Sequence, residues 1–194
     1  MTSQSELFRA ANRDLTAVLA TVGNWSAQSA CADWTIREVL DHLIDTQRDF
    51  LDRHELDVGP RPHIADDPMG AWSEHSAKVQ RLLDTPSVAE TEFDGFFGPT
   101  TIGATLGTFY GFDLVVHRWD IATGVGQDAY FGTAELDLIE RSLDGFGEHL
   151  YMEGICKPAL TVSAGASRQT LLLAKMGRDA HWQPEARQPR PLGA

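Results

Sequence analysis

An all-α bundle is the fold this sequence predicts, and three observations predict it. Five stretches carry apolar residues at helical spacing, strand signals are few, and the connecting loops are of moderate length. The first helix is expected from about Ser5 to Val22, where Leu7, Ala10, Ala11, Leu15, Val18, Leu19 and Val22 recur at helical spacing. A loop around Gly23–Ala32 follows. The second helix has a specific start: Thr35, followed three residues later by Glu38, forms a capping box in which hydroxyl and carboxylate each satisfy an orphan backbone donor. Ile36, Leu40, Leu43, Ile44, Gln47 and Leu51 then line one stripe, to about Arg53.

Asp57–Pro68, rich in Pro, Gly, Asp and His, reads as a loop, and a third helix is expected over Met69–Leu83, stopped by Pro86. In Val88–Thr100 the run FDGFFGPT sets an Asp-Gly turn signal among aromatic residues, which predicts a short irregular hairpin. A long helix then spans about Thr101–Thr123 and ends at Gly124, and another spans Ala134 to about Tyr151. Pro158–Gly177 is less regular, with room for a strand and a short helix. Residues 1–183 read as one domain and 184–194, with Pro184, Pro189 and Pro191, as a disordered tail.

Composition narrows the function. With 194 residues, 42% hydrophobic and 23% charged, the chain fits one folded domain. Its net charge of −12 repels phosphate backbones and anionic lipid, so neither a nucleic acid nor a membrane is the expected partner. No apolar run nears the roughly 20 residues of a membrane span. The N-terminus lacks the apolar core of a secretory signal, which makes the cytoplasm the expected compartment. Cys31 and Cys156 have no CxxC spacing and read as reduced thiols without the neighbours of a nucleophile.

The most informative segment is TIGATLGTFYGFDLVVHRWDIATG. At about 100° per residue, Ile102, Leu106, Phe109, Asp113, His117 and Asp120 share one helix face. A carboxylate and an imidazole on a core-facing stripe need compensation, since an unpaired buried charge costs several kcal/mol. Spacing leaves three readings open: a self-satisfied Asp113–His117 pair, a catalytic dyad, or a metal site, because side chains four residues apart can meet one cation. The dyad lacks a partner, as there is no GxSxG. For a metal, His42 is the leading third ligand, lying off the centre of its helix's apolar stripe. His54, His63, His75, His149 and His181 read as surface residues. Asp120, three residues after His117, is a candidate to orient its imidazole, with Arg118 or a neighbouring backbone as alternative partners. Trp34 and Trp119 read as core anchors.

Two segments carry a family resemblance. DWTIREVLDHL, ending at Leu43, resembles the second-helix signature of the DinB-like and mycothiol-dependent maleylpyruvate isomerase family, and FDLVVHRWDIATG, Phe112–Gly124, is similar to that family's second signature. LLLAKMGRDAHW, Leu171–Trp182, resembles the ending of one uncharacterised branch. The resemblance implies a DinB-like four-helix bundle with a hairpin and extra C-terminal elements. It implies a divalent metal held by His42, Asp113 and His117, zinc first and nickel as the alternative. It also implies a low-molecular-weight thiol such as mycothiol as cosubstrate. The isomerases tend to carry Glu, and many DinB-like members His, where this chain has Asp113; a methylene shorter than Glu, Asp implies a metal either closer to the long helix or more weakly bound. The functions these features imply are metal-dependent S-transfer or isomerisation on a small-molecule substrate. A metal-dependent hydrolase and a non-catalytic metal-binding module are the alternatives, and a homodimer is open beside a monomer.

Overall fold

The computed structural model describes residues 3–31, 33–152 and 154–184. The chain is mostly helical, with one two-stranded sheet. Helix α1 (Gln4–Leu19) starts at a capping box that the apolar spacing does not reveal: Ser3 accepts from the Glu6 amide and the Glu6 carboxylate accepts from the Ser3 amide. Phe8, Ala11, Leu15 and Leu19 are its buried face, and the helix ends one turn before Val22. In α2 (Ile36–Arg53) the Thr35–Glu38 box is present as the sequence predicts. Asp67 caps α3 (Pro68–Leu83), whose first residue is Pro68, a position where the missing N–H has no partner to lose. Pro86 does not merely stop that helix; it opens a single turn, α4 (Pro86–Ala89).

The hairpin is regular rather than irregular. Strands β1 (Glu92–Gly95) and β2 (Gly98–Thr101) pair antiparallel, with Glu92 opposite Thr101 and Gly95 opposite Gly98. The turn is therefore Phe96–Phe97, and the Asp94-Gly95 signal lies at the end of the strand before it.

The predicted long helix is interrupted. After one turn of α5 (Ile102–Ala104) the chain winds as a π-helix over Thr105–Tyr110 and returns to α-helix in α6 (Gly111–Gly124). A π-turn accommodates one extra residue, so everything after it is rotated by about 100° against a continuous α-helical wheel. The single face expected for Ile102 through Asp120 is thus divided: Ile102 and Leu106 are buried, Phe109 stands 41% exposed, and Asp113, His117 and Asp120 turn together to a second direction.

Helix α6 ends at Gly124, as the sequence predicts. A Cβ there would come within 3.0 Å of the Gln28 carbonyl oxygen and 3.1 Å of Ser29 Cα, so the glycine lets α6 press against the loop before α2. The left-handed residue that closes the helix is Gly126, with φ +77°. The next predicted helix also breaks. Helix α7 (Thr133–Phe146) gives way at Gly147 to a 3₁₀ turn (Gly147–Tyr151). The irregular stretch that follows holds a helix, α8 (Arg168–Lys175), but no strand among the described residues. Residues 185–194, where a disordered tail is expected, lie outside the described residues.

Helix α1 packs against α3 and α6, and α2 packs against the same two helices, and all four contribute to one core that α7 also shares. Trp72, Phe8, Leu15, Leu40, Leu43 and Leu114 are fully buried within it. Helix α7 packs against both α6 and α8. Among the described residues no helix is long and apolar enough to cross a membrane.

Candidate metal centre

Two helices bring the expected ligands together. From α2, His42 Nε2 lies 3.4 Å from Asp113 Oδ2; from α6, His117 Nε2 lies 3.3 Å from Asp113 Oδ1. The two imidazoles meet edge to face with ring centroids 5.2 Å apart, and one ligand atom from each of the three residues lies within 4.8 Å of the others. The capping box fixes where α2 begins and hence where His42 falls on it. The π-turn fixes the direction in which Asp113 and His117 project. Trp34, the residue before that box, packs against the edge of the core. It lies half-buried over both rings, 4.8 Å from His42 and nearly parallel to His117 at 6.1 Å.

The far side of His117 is equally well defined. Its Nδ1–H donates to Asp120 Oδ2 at 2.9 Å, which leaves Nε2 to face Asp113 and His42. Asp120 has no solvent exposure, and Arg178 clamps it with two charge-assisted hydrogen bonds, Nε to Oδ1 at 2.9 Å and Nη2 to Oδ2 at 2.8 Å. The alternative partner Arg118 points elsewhere, onto Glu135 at 2.9 Å. Trp119 is buried in the core, as the sequence predicts.

Burial alone raises a carboxyl group, but His117 and His42 outweigh it and hold Asp113 well below the usual carboxylate range. Burial is likewise opposed at Asp120 by Arg178 and His117, so that carboxyl is also held down. His117 is depressed by burial yet carried upward by its two carboxylate neighbours, Asp113 first, and reaches about 9.

The chain shows its relationship most clearly here. The family model for the mycothiol maleylpyruvate isomerase N-terminal domain matches residues 8–122, a span that contains His42, Asp113, His117 and Asp120. The chain belongs to that family. No curated protein and no solved structure matches it.

In this isomerase-domain family member, Arg178 lies beyond the matched span, and sequence reasoning misses it. The GRD run of the late segment was its only signal. Gly177, with φ +72°, turns the chain at the end of α8, and a Cβ there would lie 2.7 Å from Lys157 Cβ and 2.9 Å from the Lys157 carbonyl oxygen. That glycine is what allows the following arginine to reach inward. A second potential cation group, Cys31, His117 and Asp120, is already served by this guanidinium, which approaches Cys31 Sγ at 4.0 Å. Burial, then Asp120, raises the Cys31 thiol to about 12, and burial also raises Cys156. Neither cysteine is a poised nucleophile.

The candidate site opens into a cleft of about 820 Å³. His42, Asp113, His117, Trp34 and Arg178 line it, together with an aromatic group of Phe96, Phe97, Phe109, Phe146 and His149. His149 therefore belongs to the cleft. His75, expected on the surface, is fully buried and meets Gln47 Oε1 at 3.1 Å between α3 and α2. Only its spacing with Ala71, Trp72 and Val79 on one helix face could have shown this.

Proposed function

We propose that the chain is a metal-dependent enzyme in which His42, Asp113 and His117 hold a divalent cation, zinc first, for thiol S-transfer or isomerisation on a small-molecule substrate. One observation carries this reading. Donors bonded at 2.0–2.2 Å to a tetrahedral zinc stand about 3.3 Å apart; His117 Nε2 lies 3.3 Å from Asp113 Oδ1, His42 Nε2 lies 3.4 Å from the other oxygen, Oδ2, and one donor atom from each of the three residues lies within 4.8 Å of the others. The donor set, two imidazoles and a carboxylate, is also that of catalytic zinc sites with one position left open.

A cation held there supplies Lewis acidity, which lowers the pKa of a thiol or water brought to it. The chain's own residues do the rest. Asp120 fixes the His117 tautomer so that the Nε2 lone pair is the one presented, and Arg178 keeps Asp120 ionised and oriented. Trp34 restricts the rotation of both imidazoles and excludes water from one side. The open side faces the cleft, whose volume suits a thiol and an acceptor together. A low-molecular-weight thiol of the mycothiol kind is the cosubstrate that the family name supports. The four long helices are read as a DinB-like four-helix bundle, because each of α1 and α2 touches both α3 and α6.

Elemental analysis of the purified chain tests the reading. Near one equivalent of zinc or nickel per chain is expected, with less than a tenth of that in His117→Ala and in His42→Ala. Retained stoichiometric metal in both variants overturns it. Thiol conjugation to an electrophile that depends on the metal then separates S-transfer from hydrolysis.

A further inference from the structure

The hairpin turn carries two large apolar side chains into the open. Its central residues, Phe96–Phe97, keep negative φ, and Gly98, at φ +104°, takes the left-handed position after them, so the turn tolerates most residues and does not itself require phenylalanine. Both residues nevertheless stand exposed, Phe96 by 71% and Phe97 by 55%, and clustered apolar groups left open to solvent mark a binding surface. These rings are not loose. Phe96 meets His149 edge to face at 5.0 Å, and Phe97 meets Phe146 in the same manner at 5.6 Å. Phe146 in turn touches Phe109 at 5.6 Å and Phe112 at 5.7 Å, and Phe112 is the neighbour of Asp113. The π-turn is what brings Phe109 out of the core to this wall. The cleft thus has an ionic end and an aromatic end, joined in one concave space.

We infer that the aromatic end is a subsite for a flat apolar group, an aryl or similarly conjugated portion of the molecule that reacts at the ionic end. Ring faces and edges presented together favour a planar guest, whose own edges and faces complete the offset and T-shaped contacts. The subsite rests on the reading of the cleft as the substrate site, but its binding chemistry needs no metal.

Fluorescence titration of the full chain with N-phenyl-1-naphthylamine, a neutral planar probe, tests it. Saturable binding of one probe per chain is expected in both metal-loaded and chelator-treated protein, with displacement by 1-naphthol and none by sorbitol. Phe97→Ser combined with Phe109→Ser weakens binding at least tenfold; both rings are substantially exposed, and unchanged circular dichroism and metal content show that the fold is kept. No binding by the wild type, or equal binding by the double variant, overturns the subsite. So does probe binding that falls as protein concentration rises while the variants abolish self-association, since the rings would then serve a second copy of the chain. A protein that takes up no metal yet shows these variant effects sinks the metal reading and leaves the subsite; one that takes up metal and binds no probe does the reverse.

Discussion

Asp120 accepts hydrogen bonds from His117 at 2.9 Å and from Arg178 at 2.8 Å through the same carboxylate oxygen, so a residue near the C-terminus orients an imidazole 61 positions earlier in the sequence. The Asp120–Arg178 pair is buried, and removing the guanidinium leaves the carboxylate with only the His117 imidazole to compensate it. Arg178→Met is expected to destabilise the fold by about 3 kcal/mol, the usual cost of stranding a buried charge. Urea unfolding measures this, and a loss under about 1 kcal/mol contradicts the clamp.

Asp120→Asn keeps the size of the side chain and part of its hydrogen bonding but removes the charge that sets the His117 tautomer. Metal affinity is expected to fall about 10- to 100-fold, with the helical signal unchanged. Competition with a chromophoric chelator reads the affinity directly. Equal affinity in wild type and variant shows that Asp120 serves only to satisfy Arg178.

His75 gives the fold a pH dependence unconnected with the metal centre. Burial, and then the Arg48 guanidinium, push its imidazole from 6.5 down to about 4. Between those values the unfolded chain binds a proton that the folded chain refuses. The stabilisation is therefore complete above about pH 6.5 and is lost as pH falls toward 4, by about 3 kcal/mol at most. Comparing unfolding free energies at pH 7 and pH 4.5 for wild type and His75→Gln isolates this share from that of the carboxylates. The variant is expected to show the shallower slope, and parallel slopes refute the assignment.

Cys31 lines the cleft beside Arg178, where its position alone suggests reactivity. Burial wins over the guanidinium and raises the thiol to about 12, so at pH 8 the thiolate, which is the reacting form, is scarce. Iodoacetamide labelling followed by mass spectrometry is expected to run at least about a hundredfold slower than on a free thiol. Rapid labelling of Cys31 contradicts this.

Much of the site was legible in the chain itself. The Thr35–Glu38 box sets the start of α2 through local hydrogen bonds, so His42 could be assigned to a helix with little ambiguity. Four-residue spacing put Asp113 and His117 side by side, and both lie in α6, where that spacing holds. Two things were not legible. The π-turn leaves no periodic mark in Thr-Leu-Gly-Thr-Phe-Tyr, so the wheel that placed Phe109 with Leu106 and His117 ran through a register shift. The Arg178 contact depends on α8 docking through α7, a tertiary arrangement that no local pattern encodes. The hairpin turn was misplaced by two residues because Asp94-Gly95 carries the commoner turn chemistry and Phe96–Phe97 does not.

The span recognised as the family domain stops at residue 122. A fragment cut to that span keeps all three candidate ligands but exposes Asp120 to an empty space where a guanidinium belongs. The smallest piece able to keep its imidazole in register is thus longer than the piece that defines its kinship. Boundaries drawn by ancestry and boundaries drawn by charge do not coincide in this chain.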